Sequence, residues 1–351
     1  MSSGSFLYDR VRDLSLEIER AELSGRSSDT SYGFIRPTTV VTLCGEDTIG
    51  VGEDVTTDPD DHERFQADGI GTDLTGSYTV DSFAKRVADL DPVSGDDWNE
   101  PGTARRWGIE SAGLDLALRQ AGRTLGDVLD RSYDPVRFVA SLRLENPVST
   151  EPLRAWRAID SDLGFKLDVV PRWDRAFIKE LSTFDGIYVL DFKAQYARDD
   201  DRAATDPDLY ETIVEAFPNA VLEDPIFTDS PYDELLRGQE ERISWDARID
   251  GVDAVEALPF APSWLNIKPA RFGSLASLLD TIEYALERDI QLYGGGMFEQ
   301  DRGRAHLYAL ASLFYPDGPN DVAPPRYNET EPSADMPHSP LEPPATPGLG
   351  F

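Results

Sequence analysis

The chain is predicted to be a parallel α/β barrel preceded by a smaller α+β domain. Two observations carry this. From about residue 135 onward, strand-like apolar runs alternate with amphipathic helical patterns. That alternation fits a parallel barrel or a doubly wound sheet, and the presence of seven such units favours the barrel. Before that point the order is strands first and helices after, as in a small α+β domain.

The elements follow in order. An alternating segment, Leu14 to Arg20, opens the first domain. A second strand, Val40–Cys44, turns through Gly45-Glu-Asp-Thr into Ile49-Gly-Val-Gly-Glu53, a hairpin by its turn residues and β-branched flanks. Between these strands a polar loop is expected from Ser24 to Arg36, with Tyr32 and Phe34 near its tip. Helical spacing of apolar residues then marks Asp81–Leu90 and Arg105–Gln120. The barrel strands are Arg137–Leu142, Leu163–Val169, Gly186–Phe192, Ala220–Glu223, Arg242–Asp246, Trp264–Lys268 and Ile290–Tyr293. Helical patterns at Trp173–Leu181, Leu209–Ala216, Tyr232–Leu236 and Leu275–Leu286 lie between them. The resulting division is 1–132 for the α+β domain, 133–324 for the barrel and 325–351 for a tail. The stretch Pro324–Phe351 holds 8 prolines and few large apolar residues, so an extended or disordered tail is expected, free to wrap the surface.

Composition limits the partners. Asp plus Glu total 66 against 33 Lys plus Arg, a net charge of −33 spread along the whole chain. Such an excess repels itself unless salt screens it, which points to a halophilic protein working in a high-salt cytoplasm. It excludes nucleic acid as a partner, because no basic face is available for phosphates. The single Cys44 rules out an internal disulfide framework and fits a reducing interior. The opening Met-Ser-Ser-Gly-Ser-Phe lacks the basic and apolar regions of a signal peptide, and no apolar run is long enough to span a membrane. A soluble, cytoplasmic protein is expected.

Lysine is the informative residue. Only five occur, and Lys85 and Lys179 fall on charged helical patterns. Lys166, Lys193 and Lys268 instead close or interrupt apolar strand runs, where an unpaired lysine is seldom buried. In a parallel barrel the active site lies at the C-terminal ends of the strands. Those ends carry Lys166 and Asp168, Asp191 and Lys193, Glu223, Asp246, and Lys268. Residues two apart on a strand share a face, so Lys166 goes with Asp168 and Asp191 with Lys193. Asp191, Glu223 and Asp246, from three consecutive strands, would converge on one mouth, a set of hard oxygen ligands suited to Mg2+ or Mn2+. Singly, an Asp at a strand end is more often a helix cap, and Lys193 beside Asp191 could be a structural ion pair. The recurrence in successive units favours a site.

The order Lys, Asp, Glu, Asp, Lys resembles the enolase superfamily, most closely its muconate lactonizing enzyme/o-succinylbenzoate synthase branch. Supporting motifs are Ile49-Gly-Val-Gly-Glu53, Trp107–Leu129, Asn266-Ile-Lys268-Pro-Ala-Arg-Phe-Gly, and Gly294-Gly-Gly-Met297-Phe-Glu299 followed by Gly303-Arg304-Ala305. The resemblance implies an α+β capping domain on a modified TIM barrel, (β/α)7β. It also implies abstraction of a proton α to the carboxylate of a small substrate, with Mg2+ on Asp191, Glu223 and Asp246 stabilising an enediolate. Lys268 would be an acid/base or cation on one face of the substrate. The loop around Tyr32 and Phe34 would close the site, and Met297 and Glu299 would border the substrate. The signature after the seventh strand leans toward o-succinylbenzoate synthase-like dehydration; cycloisomerisation and racemisation use the same partial reaction. A dimer or larger homo-oligomer is compatible with the resemblance.

Two positions depart from the family pattern. Its second strand usually reads Lys-x-Lys, the second lysine being the base, and here it reads Lys166-Leu-Asp168. Its third strand usually reads Asp-x-Asn and here reads Asp191-Phe-Lys193. Either Lys193 replaces the missing base, with Asp168 paired to a lysine, or Lys193 competes with the metal and leaves a degenerate, ligand-binding barrel.

Overall fold

A computed structural model describes residues 6–29, 35–90, 101–194, 206–227, 231–247, 249–300, 302–328, 332–343 and 346–350. Tyr32 and Phe34, expected near the tip of a loop over the site, lie outside these residues.

In chain order the first domain runs α1 (Phe6–Val11), β1 (Ser15–Ile18), β2 (Arg20–Asp29), β3 (Ile35–Cys44), β4 (Ile49–Asp54), α2 (Pro59–Asp68), β5 (Gly76–Thr79), α3 (Val80–Ala88), α4 (Pro101–Gln120) and α5 (Leu125–Leu129). Strands β2, β3 and β4 form an antiparallel sheet with β3 in the middle, and β1 pairs with β5. The hairpin at Gly45 is present, but the expected loop from Ser24 is not. β2 continues to Asp29, in register with β3 from Arg20↔Cys44 to Asp29↔Ile35. Its end is polar and exposed, so it carries no apolar period; the β-branched partners Thr38 to Val41 supply the ladder.

Helix α4 fixes the sheet to the rest of the molecule. Trp107, Ile109, Ala112, Leu114, Leu116, Ala117 and Leu118 are all buried, so the helix is covered on several sides. On β4 the backbone itself meets the helix. A Cβ at Gly52 would lie 1.9 Å from the Gly108 carbonyl oxygen, and one at Gly50 would lie 2.3 Å from that of Ala112. Only glycine permits this approach, which is the physical reason for Gly50-Val-Gly52-Glu53.

The barrel strands are β6 (Val139–Leu142), β7 (Gly164–Asp168), β8 (Ile187–Asp191), β9 (Val221–Glu223), β10 (Ile243–Trp245), β11 (Trp264–Ile267) and β12 (Gln291–Gly294). They pair in parallel in chain order, as expected for short crossovers carrying helices. Those helices are α6 (Glu151–Ile159), α7 (Arg175–Leu181), α8 (Pro207–Ala216), α9 (Tyr232–Leu236), α10 (Val252–Glu256), α11 (Pro269–Phe272), α12 (Leu275–Leu286) and α13 (Arg302–Phe314). The ring is joined by a very short eighth segment after α13. Asn320 bridges to Phe138 and Asp321 to Gly295, both in parallel. The Asn320 side chain acts there as an extra amide, accepting from Gly294 N (2.7 Å) and donating to the Arg137 carbonyl (2.8 Å).

The proline-rich tail lies as a strap in its described parts. Val136 pairs with Leu341, Met336 and Leu349 are buried, and Leu349 N donates to Asp115 Oδ1 on α4 (2.8 Å). Among the described residues no helix is long and apolar enough to cross a membrane.

Candidate active site

Strand alternation sends Phe165 and Leu167 toward the helices and Lys166 and Asp168 into the barrel. Asp168, Asp191 and Glu223 stand side by side in the strand register. Lys166, Lys193 and Lys268 line a single cavity of about 280 Å³, together with Ser141, Arg143, Asp168, Gly296, Phe298, Arg304, Asp321, Ala323 and Tyr327.

Lys166 is fully buried and its ammonium Nζ lies 2.6 Å from Glu223, 3.2 Å from Asp191 and 3.4 Å from Asp321. Burial alone would lower its pKa, but these carboxylates outweigh that and hold it well above the lysine range. Lys193, partly exposed to the cavity, donates to Asp191 Oδ2 (2.8 Å) and lies 3.1 Å from Asp168 Oδ1. Its backbone takes φ 49°, and Lys193 N donates to Asp191 Oδ1 (2.9 Å). Burial again acts downward on Lys193, and Asp168 and Asp191 again outweigh it. Lys268 donates to Asp246 Oδ2 (2.8 Å).

The carboxylates are held by further groups that the sequence reading did not single out. Arg271, from α11, grips Asp246 through Nη1 to Oδ1 (2.7 Å) and Nη2 to Oδ2 (3.2 Å), and Nη1 also meets the Asp246 carbonyl. Burial raises Asp246, but Arg271, Lys268 and Lys166 pull it far below the carboxylate range. Glu223 accepts from Asn266 Nδ2 (3.1 Å) at Oε1 and from the Tyr293 hydroxyl (2.7 Å) at Oε2. Burial first, then Asp191 and Asp246, push Glu223 upward, with Lys166 opposing. Asp224 receives Asp246 N and Ala247 N, 2.9 Å each, and so fixes the turn that presents Asp246.

These contacts test the expected Mg2+ triad. All six carboxylate oxygens of Asp191, Glu223 and Asp246 already accept from protein N–H or O–H groups. Among the described residues no group of three or more His, Cys, Asp or Glu side chains is arranged to hold a metal ion. As arranged, the donor set does not fit a divalent cation.

Met297 and Glu299, the other residues expected to border the substrate, lie beside the cavity lining. Gly296 and Phe298 line the cavity, whereas Met297 and Glu299 do not. Glu299 is buried and accepts from Met297 N (2.9 Å), and Arg36 of β3 donates to the Met297 carbonyl (3.0 Å). Met297 thus joins the loop to the first domain, and Glu299 holds the turn in place. Phe298 at φ 66° turns the chain there, which defeats simple alternation. Glu53 completes the junction, accepting from Thr38 Oγ1 (2.7 Å), Gln300 N (2.8 Å) and Gly303 N (3.1 Å).

Comparison with known proteins follows the same outline. The family model described as the domain of unknown function (DUF8230) C-terminal domain matches residues 132–329, and its N-terminal counterpart matches 9–128. The chain is similar to an o-succinylbenzoate synthase of Listeria innocua, 26% identical over 222 residues. It is also similar to an N-succinylamino acid racemase of Thermus thermophilus, 29% identical over 230 residues. Each alignment covers 61% of this chain and 58% of the relative's length. Among solved structures, muconate lactonizing enzyme from Pseudomonas putida superposes with a TM-score of 0.69 at 22% identity, over 95% of this chain and 96% of that one. The Pseudomonas fluorescens enzyme complexed with muconolactone gives 0.72 at 20% identity, with the same coverage. The fold is therefore that of the muconate lactonizing enzyme-like members of the enolase superfamily, capping domain included.

Proposed function

The chain belongs to the DUF8230 family, and we propose that it is an enolase-superfamily enzyme that removes a proton α to the carboxylate of a small acid and passes through an enediolate. The observation that carries this is the approach of Lys193 and Lys268 to one cavity, from strand ends separated by β9 and β10, each anchored on a carboxylate. Two such groups on a bound acid are what proton removal and return require.

Their settings favour different roles. Lys193 starts as an ammonium, because Asp168 and Asp191 outweigh the effect of its burial. It is therefore a donor, to an enediolate oxygen or to a departing hydroxide. Lys268 also donates to a carboxylate, Asp246 Oδ2 (2.8 Å), so it accepts the α-proton only after releasing its own. Arg143 and Arg304, at the cavity wall, supply charge for the substrate's carboxylate. Dehydration of the o-succinylbenzoate synthase kind suits a site with one standing proton donor. Racemisation would need the same pair, one lysine neutral and the other an ammonium, on opposite faces of the substrate. No step here passes through a metal ion. The charge of −33 supports a high-salt cytoplasm as the place of work.

The test is α-proton exchange in D2O and molar KCl, followed by NMR, on carboxylates that include the dehydration substrate, N-succinylamino acids and muconolactone. Exchange of at least one by the wild type is expected. Lys268→Ala and Lys193→Ala should each slow it about 100-fold or more, the usual weight of a positioned acid or base. Undiminished exchange in both variants would sink the assignment.

A further inference from the structure

We propose that Lys193 stands in for a divalent cation at this site, so that the protein holds its substrate's developing charge with ammonium groups and binds no divalent metal there. The inference rests on the active-site location argued above, but its evidence is separate.

Asp191 Oδ2 receives two ammonium groups, Lys193 Nζ at 2.8 Å and Lys166 Nζ at 3.2 Å. Its other oxygen, Oδ1, receives Lys193's own backbone N–H at 2.9 Å. One residue thus closes both oxygens of a single carboxylate. The chain adopts φ 49° at Lys193 to do so, a conformation that few residues other than glycine take up. The same ammonium lies 3.1 Å from Asp168 Oδ1, which ties it to the neighbouring strand as well. Lys193 Nζ therefore bridges carboxylates of β7 and β8, while Lys166 Nζ bridges those of β8 and β9.

Together the two lysines place positive charge on Asp191 and Glu223, two of the three carboxylates that a metal ion would otherwise bridge. A cation brought to Asp191 would meet Lys193 at its closest oxygen. At such separations two like charges repel strongly unless one leaves. Lys193 opens onto the cavity, so its charge is also available to a substrate enediolate.

The experiment uses the full chain in molar KCl, freed of metal with a chelator, and measures Mn2+ binding by electron paramagnetic resonance. The wild type, Glu223→Gln, Lys193→Asn and the double variant Lys193→Asn with Glu223→Gln are compared, with circular dichroism confirming that each is folded. The wild type should show no stoichiometric site. Lys193→Asn should gain one that binds Mn2+ at least about 100-fold tighter, the order expected from removing a unit charge a few ångströms from the ion. The double variant should lose it again. A single Mn2+ site in the wild type that Glu223→Gln abolishes would overturn the proposal, and so would a Lys193→Asn protein that gains no site. Failure of every carboxylate to exchange its α-proton would count against the enzymatic reading alone, since metal binding is read without substrate.

Discussion

Gly52→Ala tests whether the capping sheet is truly locked onto α4, and through it onto the cavity. The new Cβ would lie 1.9 Å from the Gly108 carbonyl oxygen, 2.6 Å from Ser111 Oγ and 2.9 Å from Ala112 N. The closest of these is a backbone atom and is more than 1 Å short of the 3.0 Å that real Cβ atoms keep. Strand β4 and helix α4 must therefore separate. Overpacking of this kind costs about 3 kcal/mol at the upper end of its usual range. The next residue is Glu53, whose carboxylate holds Thr38, Gln300 and Gly303. Weakening even one hydrogen bond to a buried charge adds at least about 1 kcal/mol, so the expected loss is about 4 kcal/mol. Urea unfolding in molar KCl, followed by tryptophan fluorescence, measures it. Gly71→Ala is the control, with open space around its Cβ and φ 78°, and it should cost about 1 kcal/mol from the backbone alone. If Gly52→Ala costs no more than the control, β4 and α4 are not locked as described.

Two further outcomes are expected. His306 on α13 is buried, and burial, with Arg119 and Arg302 adding to it and Asp115 opposing, lowers its pKa to about 4 from 6.5. A depressed folded value means stability that is whole above 6.5 and is lost as pH falls toward 4, about 3 kcal/mol in all. Subtracting the urea stability of His306→Leu from that of the wild type at each pH should isolate this loss, and parallel profiles would contradict it. Removing residues 347–351 takes away Leu349's burial and the bonds from Gly348 N to Arg123 O and Leu349 N to Asp115. The truncated chain should be less stable by about 3 kcal/mol; a change under about 1 kcal/mol would mean that the strap contributes little to the fold.

The parts legible in the sequence were those where one residue type broke a strong local pattern. A lysine ending an apolar run marks a strand end, and the three such lysines all line the cavity. Helix α12 was equally plain, since its apolar period runs unbroken from Leu275 to Leu286. What was missed has no such contrast. Tyr293 reads as an ordinary buried aromatic of β12, and only the fold turns its hydroxyl to Glu223. Asn266 could have been found, because it lies two residues before Lys268 and therefore on its face. Arg271 belongs to a one-turn helix after the strand, where alternation no longer applies. Asp321 sits in a segment too short to have a period. Gly296 and Phe298 line the cavity where Met297 and Glu299 do not, and the positive φ of Phe298 that sets this is not encoded in sequence pattern.

The composition and the site answer to one physical constraint. A surface carrying this much negative charge repels itself unless salt screens it, and at about 1 M the screening length would be about 3 Å. Exposed pairs such as Lys85 with Asp81 and Arg326 with Asp335 then contribute little. Lys166, Asp191, Glu223 and Asp246 are sealed from that solvent, so their mutual attraction survives where surface attractions are erased. A chain with five lysines has placed one within this sealed cluster and two at its edge. Salt that neutralises the exterior leaves the cluster's field intact, and that field faces the cavity where a carboxylate's charge would develop.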